Sequence, residues 1–157
     1  MYSVIDFETT GLSPYDSDVI EYAVVRVGGG RYGEMLESLC APGRSEITPF
    51  ITKLTGITPD MVGGLPPFES HLAKMLDFIG DDTVVAHNIP FDMGFLRRYC
   101  REAGVPPPRK TLCTMTLSRR LCRGLPSHKL VSVAEALGVG AEGYHRALAD
   151  AVTTARI

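Results

Sequence analysis

The chain opens with an apolar, β-prone run from Tyr2 to Phe7 that reads as a buried strand. Asp6 and Glu8 interrupt its end. Residues two apart on an extended backbone face the same way, so both carboxylates project from one face. Burying two such groups side by side is costly without a cation between them. A strand that ends in this pair just before Gly11 is therefore a candidate metal site; the alternative is a pair of solvated turn acids. Val19 to Val27 alternates loosely and predicts a second strand. Gly28-Gly29-Gly30 joins it to a third, Arg31 to Leu39, as a hairpin. These glycines are not a phosphate loop, because no GxxxxGK[ST] is present and no helix follows them.

Helical patterning then takes over. Thr48 and Pro49 give an N-cap and a first helical position, and Gly56 a stop; Thr58-Pro59 repeats the start. Leu72, Met75, Leu76 and Ile79 recur at helical spacing between Phe68 and Gly80. Thr83 to Ala86 is a short buried strand with His87-Asn88 at its end. Pro90 opens a helix to about Ala103, with Asp92 in its first turn. Lys110 to Thr114 predicts the last strand. Thr116–Arg123, Val131–Leu137 and Tyr144–Ile157 are expected as helices, the last with a Leu148, Val152, Ala155 stripe. Strands that come first as a meander and then alternate with helices predict an α/β fold. Its mixed central sheet would have about five strands, with helices on both faces.

The 157 residues fit one domain, 1–157, and a hydrophobic fraction of 45% suffices for one core. No apolar run approaches the roughly 20 residues of a membrane span. The N-terminus lacks the basic start of a signal peptide. Cys40, Cys100, Cys113 and Cys122 show neither a CxxC pair nor a zinc rhythm, so they are expected as free thiols and the chain as cytoplasmic. The net charge of −2 hides an asymmetry: residues 1–80 carry 5 basic and 11 acidic groups, residues 81–157 carry 11 and 7. An acidic half that could hold cations sits beside a half that could hold phosphates.

Four acids can converge. Asp6 and Glu8 end the first strand, Asp92 starts a helix that follows a strand, and Asp150 lies on the last helix. Strand ends and the helix starts beside them line the ligand crevice of open α/β sheets. Four carboxylates there would repel one another unless cations bound them, and hard oxygen donors favour two Mg²⁺ or Mn²⁺ over zinc. Such a site suits in-line displacement at phosphorus, with a nearby His taking a proton from water. His145 is the candidate. Five helical residues turn about 500°, so it is expected in the loop before the helix rather than on the face of Asp150. Taken singly, Asp92 could merely favour a helix dipole, and His145 or Asp150 could be surface residues.

Three segments, Asp6-Phe7-Glu8-Thr9-Thr10-Gly11-Leu12, Ala86-His87-Asn88-Ile89-Pro90-Phe91-Asp92 and His145-Arg146-Ala147-Leu148-Ala149-Asp150, resemble the three motifs of the DEDDh exonucleases. That family includes the proofreading epsilon subunit of bacterial DNA polymerase III, RNase T and oligoribonuclease. The resemblance covers essentially the whole chain. It implies a ribonuclease-H-like fold and 3′→5′ removal of nucleoside 5′-monophosphates. It implies metal binding by Asp6, Glu8, Asp92 and Asp150, with His145 as general base over the substrate. Arg146 stands where the DEDDy branch has Tyr. By the same resemblance the backbone of Thr9, Thr10 and Gly11 meets the terminal 3′-OH and Leu12 wedges against the last bases. Phe91 packs near the terminal nucleotide, and Asn88 supports Asp92 or a phosphate. Thr55 stands where many relatives carry His, and Cys113 where many carry Asp.

The function expected is proofreading on single-stranded DNA ends. The alternative is a stand-alone nuclease trimming RNA or oligonucleotides, and the chain's end soon after the last motif weighs toward it. An inactive nucleic-acid-binding module would have lost one of the five residues, and all are present. The expected partners are single-stranded DNA or RNA 3′ ends, with a DNA polymerase and a homodimer as candidates and no membrane. Arg97, Arg98, Arg101, Arg119, Arg120, Arg123 and Lys129 are candidate backbone contacts, or ordinary surface charge.

Overall fold

The computed structural model describes residues 1–140 and 145–157. The strands are β1 (Tyr2–Thr9), β2 (Val19–Gly28), β3 (Arg31–Leu39), β4 (Thr83–Ala86) and β5 (Thr111–Cys113). The helices are α1 (Pro49–Thr55), α2 (Pro59–Val62), α3 (Glu69–Ile79), α4 (Ile89–Glu102), α5 (Thr114–Leu121), α6 (Leu130–Ala136) and α7 (Ala147–Arg156). They form a five-stranded sheet in the order β3-β2-β1-β4-β5. β1 pairs antiparallel with β2 and β2 with β3; β1 pairs parallel with β4 and β4 with β5. Gly28 pairs with Arg31, which leaves Gly29 (φ 58°) and Gly30 (φ 74°) as a two-residue turn of the kind only glycine adopts freely.

Strand alternation divides the apolar residues between two layers. Ile5, Phe7, Tyr22 and Val24 pack with Phe68, Leu72 and Met75 near or on α3 and with Met93, Phe95 and Leu96 of α4. Val4, Ala23, Val25 and Val85 face the other way, onto Ala147 and Ala151 of α7. A smaller cluster of Ile20, Ile47, Ile51, Ile57 and Val62 seats α1 and α2. The caps read from sequence are present: Thr48 and Thr58 accept amide hydrogen bonds with a proline following each, and Gly56 closes α1 at φ 75°.

Several boundaries differ from expectation. β1 runs on through both acids to Thr9, because its pairing with β2 holds through Glu8 and resumes at Thr9 across a register shift. α5 starts at Thr114 rather than Thr116, directly off β5, since Thr114 is buried with its hydroxyl against His87 and the Ala86 carbonyl. α7 starts at Ala147; Tyr144, expected at its head, lies outside the described residues. Its most buried positions are Ala147 and Ala151, with Leu148, Val152 and Ala155 only partly buried around them. Small residues four apart let this helix lie close to the sheet.

Arg98 is corrected as a candidate backbone contact. It is 2% exposed and paired at 3.4 Å with Asp18, itself 3% exposed. Asp18 also accepts the amides of Gly43 (3.0 Å), Arg44 (2.6 Å) and Ser45 (3.1 Å). The pair ties the loop after β1 to α4 and to the loop after β3. Asp18→Ala should lower unfolding stability by about 3–5 kcal/mol, because it strands a buried guanidinium and three amides. Urea denaturation checks this, and a loss below about 1 kcal/mol would count against it.

Candidate active site

β1, β4 and β5 run parallel, so their C-terminal ends meet at one edge of the sheet, where α4 and α7 begin. Asp6 and Glu8 share the face of β1 that carries Val4, toward α7. Asp150 sits in the first turn of α7, and Asp92, buried, in the first turn of α4. Asp92 Oδ1 accepts the Phe7 amide at 3.2 Å, so this acid is hooked onto β1 from the other layer. One ligand atom each of Glu8, His145 and Asp150 lies within 4.8 Å of the others. His145 is outside the helix with a left-handed backbone (φ 64°) and donates its amide to Asp150 Oδ2 at 3.1 Å. Asn88, beneath α4, is the other non-glycine residue with positive φ (76°) among the described residues. Both such conformations fall at the one crevice, a common place for backbone strain.

The electrostatics are those of crowded acids. Burial pushes Asp6 well above the ordinary carboxylate range, and Asp92, Asp150, Glu8 and Glu21 push it further. Burial, Asp150 and Glu21 raise Glu8 to about 8, against the pull of Arg146. Burial raises Asp92 despite hydrogen bonds from its own amide and that of Phe7. Asp150 rises by burial too, offset in part by the His145 amide. Asp150 Oδ1 is buried with no hydrogen-bond partner among the described residues. An orphaned carboxylate oxygen amid hard oxygen donors fits a divalent cation, which would relieve each of these strains. Asp6, Glu8, Asp92 and Asp150 could hold it.

The residues expected around a substrate end stand at the end of β1 and the start of α4. Thr9 and Thr10 are buried, and their hydroxyls bond to the Gly11 carbonyl and to the Asp18 amide and Ser45 hydroxyl. A Cβ on Gly11 would come within 2.6 Å of Ser17 Oγ, so a side chain there would require the Ser17 hydroxyl to turn away. Leu12 is 85% exposed. Phe91 packs against Phe95. Asn88 makes no side-chain cap hydrogen bond; Asp92 is held by main chain instead. Thr55 is buried, donating to the Ile51 carbonyl and accepting from the Ile57 amide. Cys113, at the end of β5, has burial working against ionisation. The Thr116 hydroxyl and the amides of Thr116, Ile89 and Asn88 outweigh it and lower the thiol's pKa. Its cysteine partners are none: all four cysteines are free.

Sequence reasoning missed Glu21. It lies on β2 opposite Glu8 in the strand register, buried, and salt-bridged to Arg146 at 2.6 Å. The available signal was an acid inside the apolar run Val19-Ile20-Glu21-Tyr22-Ala23, which demands a partner.

The sequence profile of the RNase_T exonuclease family matches residues 3–157. The chain is 41% identical over 157 residues to the DNA polymerase III subunit epsilon of Aquifex aeolicus, covering 99% of this chain and 77% of that protein. It is 36% identical over 156 residues to the PolC-type DNA polymerase III of Clostridium perfringens, of which it spans only 11%. Exonuclease X in complex with 5′ overhanging duplex DNA superposes with a TM-score of 0.79 at 28% identity, over 99% of this chain and 87% of that one. The chain belongs to the exonuclease family. Its mixed sheet has the ribonuclease-H-like architecture, and it is a nuclease of the 3′→5′ exonuclease class. Dependence on metal goes with that family. Among the described residues no helix is long and apolar enough to cross a membrane.

The raised acids set a pH dependence for the metal-free protein. The unfolded chain releases the Glu8 proton at the ordinary 4.5, whereas the folded chain holds it to about 8. Stability contributed by that proton is full below 4.5 and lost as pH rises toward 8. Asp6, Asp92 and Asp150 act in the same direction. In EDTA the urea midpoint should therefore fall across this window, and saturating Mn²⁺ should remove the fall by favouring the ionised acids. A midpoint that rises with pH in EDTA would contradict the electrostatic picture.

Proposed function

We propose that residues 1–157 act as one exonuclease domain. It removes nucleoside 5′-monophosphates from single-stranded DNA 3′ ends in a proofreading role. The observation that carries this reading is the convergence of Asp6, Glu8, Asp92 and Asp150 with His145 at one strand-end crevice, with an unpartnered Asp150 oxygen inside it. The four acids would hold two Mg²⁺ or Mn²⁺ ions, and such ions would supply a lowered pKa for a bound water and neutralisation of charge at the phosphate. His145, exposed and tethered through its amide to Asp150, takes the proton of the attacking water at its ring. The backbone of Thr9, Thr10 and Gly11 receives the terminal 3′-OH, since both threonine hydroxyls are engaged within the protein. Leu12 wedges against the last bases, Phe91 flanks the terminal nucleotide and Asn88 borders the phosphate.

The DNA assignment is supported by likeness to the Aquifex epsilon subunit and to a DNA-bound exonuclease X. A polymerase and a second copy of the chain are the candidate protein partners. The protein would work in the cytoplasm. Trimming of RNA or oligonucleotides is the competing reading, and the substrate comparison below separates the two.

On 5′-labelled single-stranded DNA and RNA of one sequence, the protein should yield a ladder shrinking from the 3′ end, faster on DNA. It should need Mg²⁺ or Mn²⁺ and be abolished by EDTA. Asp6→Ala and Asp150→Ala should lose turnover. His145→Ala should lose about 10²–10⁴-fold in kcat while still binding Mn²⁺. Full activity in either Asp variant would overturn the assignment, and faster RNA digestion would move it to RNA trimming.

A further inference from the structure

A carboxylate opposite Glu8 would ordinarily worsen the crowding of acids. Glu21 is instead turned entirely toward the segment that carries His145. Arg146 Nε donates to both its oxygens at 3.1 Å, and an Arg146 terminal nitrogen reaches Oε1 at 2.6 Å. The Ala147 amide donates to Oε2 at 2.9 Å. Arg146 is the N-cap residue of α7 and gives that helix no side-chain cap of its own. A free amide at a helix start needs an acceptor, and an anion there also suits the helix dipole. Glu21 supplies both from a neighbouring strand. One buried carboxylate on the central sheet thus fixes the residue after His145 and the first residue of the helix that bears Asp150.

Among the described residues, the rest of the His145 tether is slight. Its backbone is left-handed (φ 64°), a conformation that costs energy in a non-glycine residue. Its amide bonds to Asp150, which the same helix start positions. We propose that Glu21 and Arg146 are a positioning pair that holds His145 and Asp150 in register over the carboxylate crevice. This rests on the reading of His145 as the base. Arg146 has a second effect: its charge opposes, at Glu8, part of the repulsion that Glu21 adds. The fork of a guanidinium meets both carboxylate oxygens, which a lysine ammonium cannot do.

The test uses the full chain with Glu21→Gln, Arg146→Lys and Arg146→Ala. Steady-state kcat and KM on single-stranded DNA are measured beside thermal unfolding. In metal-free protein labelled with ¹⁵N-histidine, the His145 imidazole resonances are followed. Each folded variant should lose about ten- to a hundred-fold in kcat, with KM changed by about twofold at most. The His145 resonances should move. The Arg146 side chain is 46% exposed, so millimolar guanidinium should reach the vacated place in Arg146→Ala. It should restore part of kcat and return the His145 resonances toward their wild-type positions.

Wild-type kcat in the folded variants would overturn the proposal. So would guanidinium raising the melting temperature of Arg146→Ala without touching kcat or the His145 signals, since the pair would then be a plain structural bridge. Should Glu21→Gln fail to fold, Arg146→Ala decides. Activity that survives Asp6→Ala would instead sink the site reading, and the metal-free His145 resonances would still report on the pair.

Discussion

The mutual repulsion of acids gathered at a buried strand end constrains the rest of this molecule. Asp6 feels Asp92, Asp150, Glu8 and Glu21 on top of its own burial. No apolar packing offsets such a cluster; it persists because the surrounding fold over-determines where each carboxylate stands. Asp6 and Glu8 are held by the pairing of β1 with β2, opposite Ala23 and Glu21, while β4 flanks β1 from Tyr2 to Val4. Asp92 is hooked to the Phe7 amide. Asp150 is carried down by a helix whose Ala147 and Ala151 let it lie close to the sheet. A rigid frame around repelling charges suits the cations proposed for this crevice.

The frame extends past the acids. The Asp18–Arg98 pair, almost fully buried, pins the loop that presents Thr10, Gly11 and Leu12. His87 bridges the Thr114 hydroxyl (2.9 Å) and the His128 carbonyl (2.8 Å), joining the end of β4 to α5 and to the approach to α6. Burial lowers the His87 pKa, with the Arg119 and His128 charges acting the same way and the His128 hydrogen bond opposing them. Asp18, Arg98 and His87 thus have polar atoms engaged inside the protein, while Leu12 stands out into solvent. A rigid frame with one projecting apolar residue suits the reading of a strand end by shape and stacking.

Much of this was legible in the chain. The Asp-x-Glu spacing on a β-prone run gives one shared face from strand geometry alone. Thr-Pro starts, Gly stops and the paired glycines of the hairpin act locally, so their chemistry shows in sequence. What failed to show was tertiary. Arg98 looks like a surface charge until Asp18, eighty positions away, is folded against it. Glu21 reads as a polar position in a strand until Arg146 meets it from the far end of the chain. The start of α5 moved because the Thr114 hydroxyl finds His87, a contact no local pattern contains. Long-range pairing of buried polar groups is where local propensity is overruled.

The claim on which the account stands is that the converging carboxylates exist to hold divalent cations. Anomalous diffraction from crystals soaked in Mn²⁺ tests it most directly. The account predicts two anomalous peaks in the crevice, with oxygens of Asp6, Glu8, Asp92 and Asp150 around them and Asp150 Oδ1 among the ligands. Ordered carboxylates with no peak between them, at Mn²⁺ concentrations that support nuclease activity, would contradict it.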